Sequence, residues 1–305
     1  DMGSRAVKRI QDVRILRDHQ FAEDAGPNAH PIRPKSYLEI NNFYTSTVYN
    51  KGAEIIRMIE TLIGKKAFRK GMDKYFELFD GKAVTTDDFV HAMELASGLD
   101  LTGFKVWYDQ AGTPVCRVQS RYDQMTETLH LDVEQALPGH KGGEPWGPFY
   151  FPMTVGLLTR SGSELPFGLK GETGRNIAPS KVLHISEKKQ SFVLEKVTEV
   201  PLPSFFRNFS APVRLEYDYT EEDLALLFAY DSDDFNRYDA GHRLALLNLR
   251  KLIAQYQSGK PFKIEACMLE AFGVFLRDRK SDAAFKAEGL ILPSLAALIE
   301  EMEIC

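Results

Sequence analysis

Cysteine is scarce in this sequence: Cys116, Cys267 and Cys305 are the only three among 305 residues. They lie far apart, and no Cys-x-x-Cys pair occurs. This spacing predicts neither a zinc knuckle nor a disulfide framework. A chain with so few cysteines fits a reducing compartment, and we expect a cytoplasmic protein.

Long apolar runs and an excess of basic residues are also missing. No apolar run reaches the roughly 18 residues that span a bilayer, and the first residues lack the apolar core of a signal peptide. The net charge is -5 and the pI is near 5.9, whereas phosphate binding needs clustered Lys and Arg. We therefore expect neither a membrane nor a nucleic acid as a partner.

Hydrophobic periodicity divides the chain into three regions. Residues 1–114 carry apolar side chains at helical spacing, beginning behind the N-cap Ser4. Residues 115–217 change to a period of two, which is typical of strands, and no crossover helices separate these strands. Residues 218–305 return to helical spacing behind the cap Thr220. Because one hydrophobic core rarely serves 305 residues, we predict a multidomain α+β protein.

Alternation at 115–121 and 128–134 predicts two strands, and further short strands are predicted at 150–159, 181–186, 190–196 and 212–217, with a loop at 139–147. Such strands favour a β-sandwich. The helices after 218 are joined by short turns, as in a helical-hairpin solenoid, although no clean sequence repeat is visible.

The most informative motif surrounds Tyr49. It reads Asn41-Asn42-Phe43-Tyr44-Thr45-Ser46-Thr47-Val48-Tyr49-Asn50-Lys51-Gly52-Ala53-Glu54. Four further motifs accompany it: Arg5-Ala6-Val7-Lys8-Arg9-Ile10, Phe21-Ala22-Glu23-Asp24-Ala25, His30-Pro31-Ile32-Arg33-Pro34 and Trp107-Tyr108-x-Gln110-x-Gly112-Thr113-Pro114. In this order they resemble zinc aminopeptidases of the aminopeptidase N family, most closely its bacterial alanyl aminopeptidase branch. The resemblance runs almost from end to end of the chain.

The resemblance implies both a fold and site residues. Residues 1–114 would be the C-terminal helical half of a thermolysin-like catalytic domain, 115–217 an Ig-like β-sandwich, and 218–305 the start of α-helical solenoid repeats. Tyr49 would donate a hydrogen bond to the scissile carbonyl as it becomes an oxyanion, a contribution typically worth a few kcal/mol. Tyr44 would line the pocket for the first side chain of a peptide substrate. From the residues alone, a packed or surface aromatic ring is the alternative for both.

The same family holds a catalytic Zn²⁺ with His-Glu-x-x-His and a later Glu, and it binds the substrate's α-amino group with Gly-x-Met-Glu-Asn. Neither motif occurs here, and the nearest segment, His91-Ala92-Met93-Glu94, is predicted to be ordinary helix. By family order, the third zinc ligand falls just upstream of Asp1. We therefore expect zinc in the parent enzyme and no metal site in this chain. The isolated histidines His30, His130, His140 and His184 are assigned no metal.

The expected function is that of an internal portion of a zinc-dependent aminopeptidase, inactive by itself, whose parent releases N-terminal amino acids from peptides. The alternative is a non-catalytic binding or scaffolding protein with the same fold. A His-Glu-x-x-His within about a hundred residues upstream would favour the enzyme. We also expect the surface that the zinc-binding half would cover to be apolar, which favours self-association.

Overall fold

The computed structural model describes residues 4–138, 146–172 and 176–301, and the first region of the chain is helical. Its helices are α1 (Arg5–Ile15), α2 (Phe21–Ala25), α3 (Gly52–Ile63), α4 (Lys65–Phe79), α5 (Thr86–Ser97) and α6 (Val106–Asp109). Two π-helical turns, Leu16–Gln20 and Thr47–Lys51, lead into α2 and α3, and 3-10 turns occupy Ile40–Phe43 and Thr102–Lys105. The predicted N-cap is confirmed, because the Ser4 side chain accepts a hydrogen bond from the Val7 amide.

The connections in this region follow the local chemistry of proline and glycine. The loop between α2 and the 3-10 turn at Ile40–Phe43 contains Pro27, Pro31 and Pro34, none of which can donate a backbone hydrogen bond. Gly64 ends α3 with a φ of +81°, a conformation that side chains with a Cβ rarely adopt.

The second region forms two packed sheets. Its strands are β1 (Val115–Asp123), β2 (Thr128–Ala136), β3 (Phe151–Leu158), β4 (Gly168–Leu169), β5 (Ser180–Ile185), β6 (Lys189–Glu195), β7 (Leu202–Phe205) and β8 (Arg214–Glu216). One sheet has the order β4-β6-β2-β1-β8 and the other β5-β3-β7. Among the described strands, β1 and β8 pair in parallel and the other pairs are antiparallel. The predicted sandwich is therefore confirmed.

The prediction missed two of these strands. β4 has only two residues, and β7 is buried on both faces and contains Pro203, so neither shows a period of two. Most of the loop predicted at 139–147 lies outside the described residues, as does His140.

The third region is helical and contains α7 (Glu221–Tyr230), α8 (Asp234–Gln257), α9 (Ala266–Arg277), α10 (Ala283–Gly289) and α11 (Leu295–Glu301). The predicted cap of α7 is confirmed: Thr220 accepts from the Asp223 amide while the Asp223 carboxylate accepts from the Thr220 amide. The last of these helices begins at Leu295, beyond Pro293, because proline disfavours helical backbone at the residue before it.

Two hydrophobic cores join these regions. The first packs α3 and α5 against the interior of the sandwich, with Trp107 fully buried between them. The second packs Ile10 and Val13 of α1 together with Phe228 and Phe275 of α7 and α9. The first helix of the chain therefore shares its core with the last helices. In the ranges that the structure describes, no helix is both long and apolar enough to cross a membrane.

Candidate active site around Tyr49

Tyr49 lies in the π-helical turn that opens α3, and 58% of its surface is exposed. The Gly52 amide donates to the Thr47 carbonyl, five residues back, which is the hydrogen bond that defines this turn. The Tyr49 hydroxyl makes no hydrogen bond to any residue within the described ranges. The phenol therefore faces outward with its donor available to a ligand.

Tyr44, the second predicted site residue, lies beside Tyr49. The two rings stack with their centroids 5.8 Å apart and their planes 21° from parallel, a favourable arrangement for aromatic pairs. Tyr44 is 68% exposed. The structure thus brings both predicted tyrosines together on one exposed aromatic surface.

The opposite face of the same helical segment is buried and polar, and it is formed by Thr47, Lys51 and Glu54, spaced four and three residues apart. The Thr47 amide and hydroxyl both donate to one oxygen of Glu23, at 2.8 and 2.6 Å. Arg9 donates two hydrogen bonds of 2.6 Å to the Glu54 carboxylate. Arg9 also donates to the carbonyl of Phe209, at 3.0 Å, beyond the sandwich strand β7.

Lys51 is the third member of this buried face. Its Nζ donates to Asp24 Oδ2 at 2.8 Å and to the Gly112 carbonyl at 2.9 Å. Asp24 also accepts from the Thr113 hydroxyl, at 2.9 Å, and from the Gly112 amide, at 3.3 Å. Burial lowers the pKa of Lys51, and the neighbouring Asp24 opposes that change. These contacts tie α2, the turn and the entry to β1 together behind Tyr49.

Sequence reasoning does not single out Lys51 or Asp24 as site residues. The available signal is their position in the motifs, since Phe21 to Ala25 contains Asp24 and the tyrosine segment contains Lys51. The motif that ends in Thr113 supplies the remaining contacts. Three motifs that are far apart in the sequence therefore meet at one point.

His30 supports the start of the tyrosine segment. Its Nδ1 lies 2.8 Å from the Asn28 carbonyl and its Nε2 lies 2.9 Å from the Thr45 hydroxyl. Thr45 in turn accepts from the Val48 amide, at 3.1 Å. Both ring nitrogens of His30 are thus within hydrogen-bond distance of neighbouring groups in the loop and the turn.

The side chains around Tyr49 do not fit a catalytic zinc ion. Glu23 and Asp24 are engaged by Thr47 and Lys51, and Glu54 is engaged by Arg9. Over residues 4–138, 146–172 and 176–301, no group of three His, Cys, Asp or Glu side chains is arranged to hold a metal.

Comparison with known proteins gives three consecutive family matches. The model described as "Peptidase family M1 domain" matches residues 6–108. A domain of unknown function with an Ig-like fold matches 112–218, and a domain of unknown function made of ARM repeats matches 221–305. The predicted helical region, Ig-like sandwich and helical repeats are confirmed by these matches, and the first match assigns residues 6–108 to peptidase family M1.

Within this family, the curated relatives include aminopeptidases N. That of Escherichia coli (strain K12) is 42% identical over 304 residues, which cover 100% of this chain and 34% of that protein. That of Haemophilus influenzae is 41% identical over 96% of this chain and 33% of that protein. The chain therefore spans about a third of the length of these relatives.

A solved structure shows the same architecture. The crystal structure of Legionella pneumophila aminopeptidase A in complex with aspartic acid superposes with a TM-score of 0.75 at 28% identity, over 97% of this chain and 33% of that one.

The family matches change between residues 108 and 112 and between 218 and 221. Close to these changes, we propose domains at 1–114, 115–217 and 218–305.

Proposed function

We propose that the protein to which these residues belong is an aminopeptidase that releases N-terminal amino acids from peptides and depends on zinc held by residues outside this chain. The observation that carries this proposal is Tyr49, an exposed phenol on a helix whose opposite face is held by buried charges. The identity to aminopeptidases N along the whole chain supports it. A cytoplasmic location is proposed from the scarcity of cysteine.

In this function, Tyr49 donates its hydroxyl hydrogen to the carbonyl oxygen of the scissile peptide bond as negative charge develops there. A donor that is already oriented needs no reorganisation during the reaction, and this makes it effective. The ring of Tyr44, stacked on Tyr49, lines the pocket for the first side chain of the substrate.

The 305 residues by themselves are proposed to be inactive, because the sequence contains no His-Glu-x-x-His and the side chains that the structure describes do not fit a zinc site. We expect the isolated chain to bind no stoichiometric zinc and to leave an alanyl anilide uncleaved. Stoichiometric zinc by metal analysis, together with turnover by the isolated chain, would contradict this.

The function is tested in the longer gene product that contains these residues, with an alanyl anilide as substrate. Tyr49→Phe removes one hydroxyl, and we expect kcat to fall about 100- to 1,000-fold, as for other oxyanion donors, with little change in KM. Tyr256→Phe is the matched control, because Tyr256 is an exposed tyrosine on α8. If the longer protein has no turnover, or if Tyr49→Phe leaves kcat unchanged, the non-catalytic binding protein is favoured instead.

We further propose that copies of this chain associate through the exposed apolar side chains at residues 37–40, which directly precede the tyrosine segment. Leu38 is fully exposed, and Tyr37 and Ile40 are largely exposed. Contiguous apolar surface of this kind favours association in water.

A further inference from the structure

We propose that Lys51 is a positioning residue for Tyr49: its ammonium group, held by Asp24 and the Gly112 carbonyl, fixes the turn that presents the phenol. The proposal rests on the function proposed above, in which Tyr49 acts on the substrate.

Lys51 occupies an unusual place for a lysine. Its side chain is 1% exposed. The two hydrogen bonds to Asp24 and Gly112 account for two of the three donors of the ammonium group, and the Trp107 ring lies 5.7 Å from Nζ. The charged group is therefore completely surrounded by protein.

Stability alone does not explain a buried charge at the position of Lys51. Removing two charges from water costs several kcal/mol per ion, and an apolar pair of similar volume is often as stable or more so. A buried pair instead specifies one arrangement, because the ammonium group must meet both Asp24 and the Gly112 carbonyl. Lys51 thus determines geometry more than it adds stability.

Lys51 affects the direction of the Tyr49 side chain through the π-helical turn that both residues share. Lys51 is the last residue of the π-helical turn and lies two positions after Tyr49, on the opposite face. A π-helical turn contains one more residue per hydrogen-bonded ring than an α-helix, and it is rare. Relaxation of this turn to α-helix would rotate the Tyr49 ring away from its present direction. Lys51 and its partners oppose that relaxation.

The two partners of Lys51, Asp24 and the Gly112 carbonyl, are themselves held in place. Gly112 has a φ of +99°, and a Cβ at this position would lie 2.9 Å from the Leu137 side chain. Glycine is therefore required for the backbone that presents this carbonyl. Asp24 is oriented by Thr113 as well as by Lys51. The anchor thus combines three segments that have little freedom to move.

The experiment is a double-mutant cycle in the longer gene product, combining Lys51→Met with Tyr49→Phe. Methionine keeps an unbranched apolar stem of similar length and removes the charge. We expect Lys51→Met to lower kcat about tenfold with little change in KM, since small misplacements of a catalytic group are costly. In the Tyr49→Phe background we expect Lys51→Met to change kcat less than about twofold, because the hydroxyl that it positions is already gone.

The matched control is Lys181→Met. Lys181 is also a buried lysine with a carboxylate partner, Glu172, at 2.6 Å, but it lies in β5, away from the tyrosine segment. It is expected to change kcat by less than about twofold in either background. A second readout uses this 305-residue chain labelled with ¹³C-tyrosine, in which the Tyr49 ring signal should shift with Lys51→Met and stay in place with Lys181→Met.

Each outcome decides the proposal. Equal losses of kcat from Lys51→Met in both backgrounds, with an unmoved Tyr49 signal, would show a purely structural lysine and overturn it. If Tyr49→Phe itself leaves kcat unchanged, the proposed function fails first, and the positioning role fails with it. If Lys51→Met does not fold, the cycle is repeated with Asp24→Asn combined with Lys51→Met, which leaves no unpaired charge and is expected to show the same dependence on Tyr49.

Discussion

The β-sandwich meets the helices before it and the helices after it through two buried polar clusters that differ in charge balance. The first junction contains three carboxylates, Glu54, Asp24 and Glu23. Its three cations, Arg9, Lys51 and Arg57, match them in number. The second junction contains one cation, Arg207, among the carboxylates Glu164, Asp231 and Asp233. The first junction is neutral within itself, whereas the second has surplus negative charge.

The surplus negative charge at the second junction affects the protonation of its carboxyl groups. Arg207 lies 3.1 Å from Glu164 and 2.9 Å from Asp231, so its single charge is shared. Burial raises the pKa of Asp231, and burial raises the pKa of Asp233 to about 6. A buried carboxylate without a cation of its own holds its proton more tightly. The stability of the second junction therefore depends on the protonation of these two carboxyl groups.

One strained backbone segment connects the two junctions. Phe206, Asn208 and Phe209 have φ values of +54°, +57° and +50°, a region that residues other than glycine seldom occupy. Arg9 of the first junction donates to the carbonyls of Asn208 and Phe209. Asp233 of the second junction accepts from the Asn208 amide at 2.9 Å. The strain persists because both junctions hold this segment.

The largest expected change in the free energy of unfolding comes from breaking the buried Arg9–Glu54 pair of the first junction. Arg9→Met removes both 2.6 Å hydrogen bonds from the buried Glu54 carboxylate and leaves it only Arg57, 3.9 Å away. We expect the free energy of unfolding to fall by about 3–5 kcal/mol. Urea denaturation of the isolated chain measures the change. Arg117→Met is the control, since Arg117 pairs with Glu216 on the surface, and its loss should cost less than about 1 kcal/mol. Equal costs for the two variants would mean that burial of the first pair is unimportant.

A smaller change in the free energy of unfolding is expected from Asp233→Asn at the second junction. The pKa of Asp233 is higher in the folded protein than its ordinary value of 3.8, so the folded state binds the proton more tightly. The carboxyl group therefore lowers stability as the pH rises from about 4 to about 6. Asparagine can still accept the hydrogen bond from the Asn236 amide that begins α8.

We expect Asp233→Asn to raise the free energy of unfolding at pH 7 by about 1 kcal/mol, because solvent screens part of the effect at this half-buried group. The difference should be much smaller at pH 4, because the carboxyl group is then protonated in the folded state and partly protonated in the unfolded state. Urea unfolding at both pH values measures it. A stabilisation of the same size at pH 4 would show that the carboxyl charge is not its cause.

The smallest effect on folding stability is expected at the exposed residues 37–40. Leu38→Ser combined with Ile40→Ser should change the free energy of unfolding by no more than about 0.5 kcal/mol. Sedimentation should show self-association about tenfold weaker than in the unchanged chain. Met125→Ser, at an exposed methionine in the β1–β2 turn, should leave association unchanged. A monomeric chain before any substitution would contradict the proposed contact.

Local elements were largely predictable from the sequence because their causes are local. The caps Ser4 and Thr220 and the helix end at Gly64 depend on neighbours a few residues away. The strands that alternate clearly, such as β2, were found, while β7, buried on both faces, was missed. The π-helical turn at Tyr49 could not be predicted, since its buried face depends on partners at residues 9, 23 and 24.

By itself, the sequence determined the periodicities that make 1–114 and 218–305 helical and 115–217 a sandwich, and it carried the motifs that single out Tyr49 and Tyr44. Only the tertiary structure decided that Lys51 meets Asp24 and Gly112, and that α1 packs on helices more than 200 residues later. The physical reason is distance along the chain. Hydrogen bonding and periodicity act over a few residues, whereas the partner of a buried charge is set by how whole elements pack.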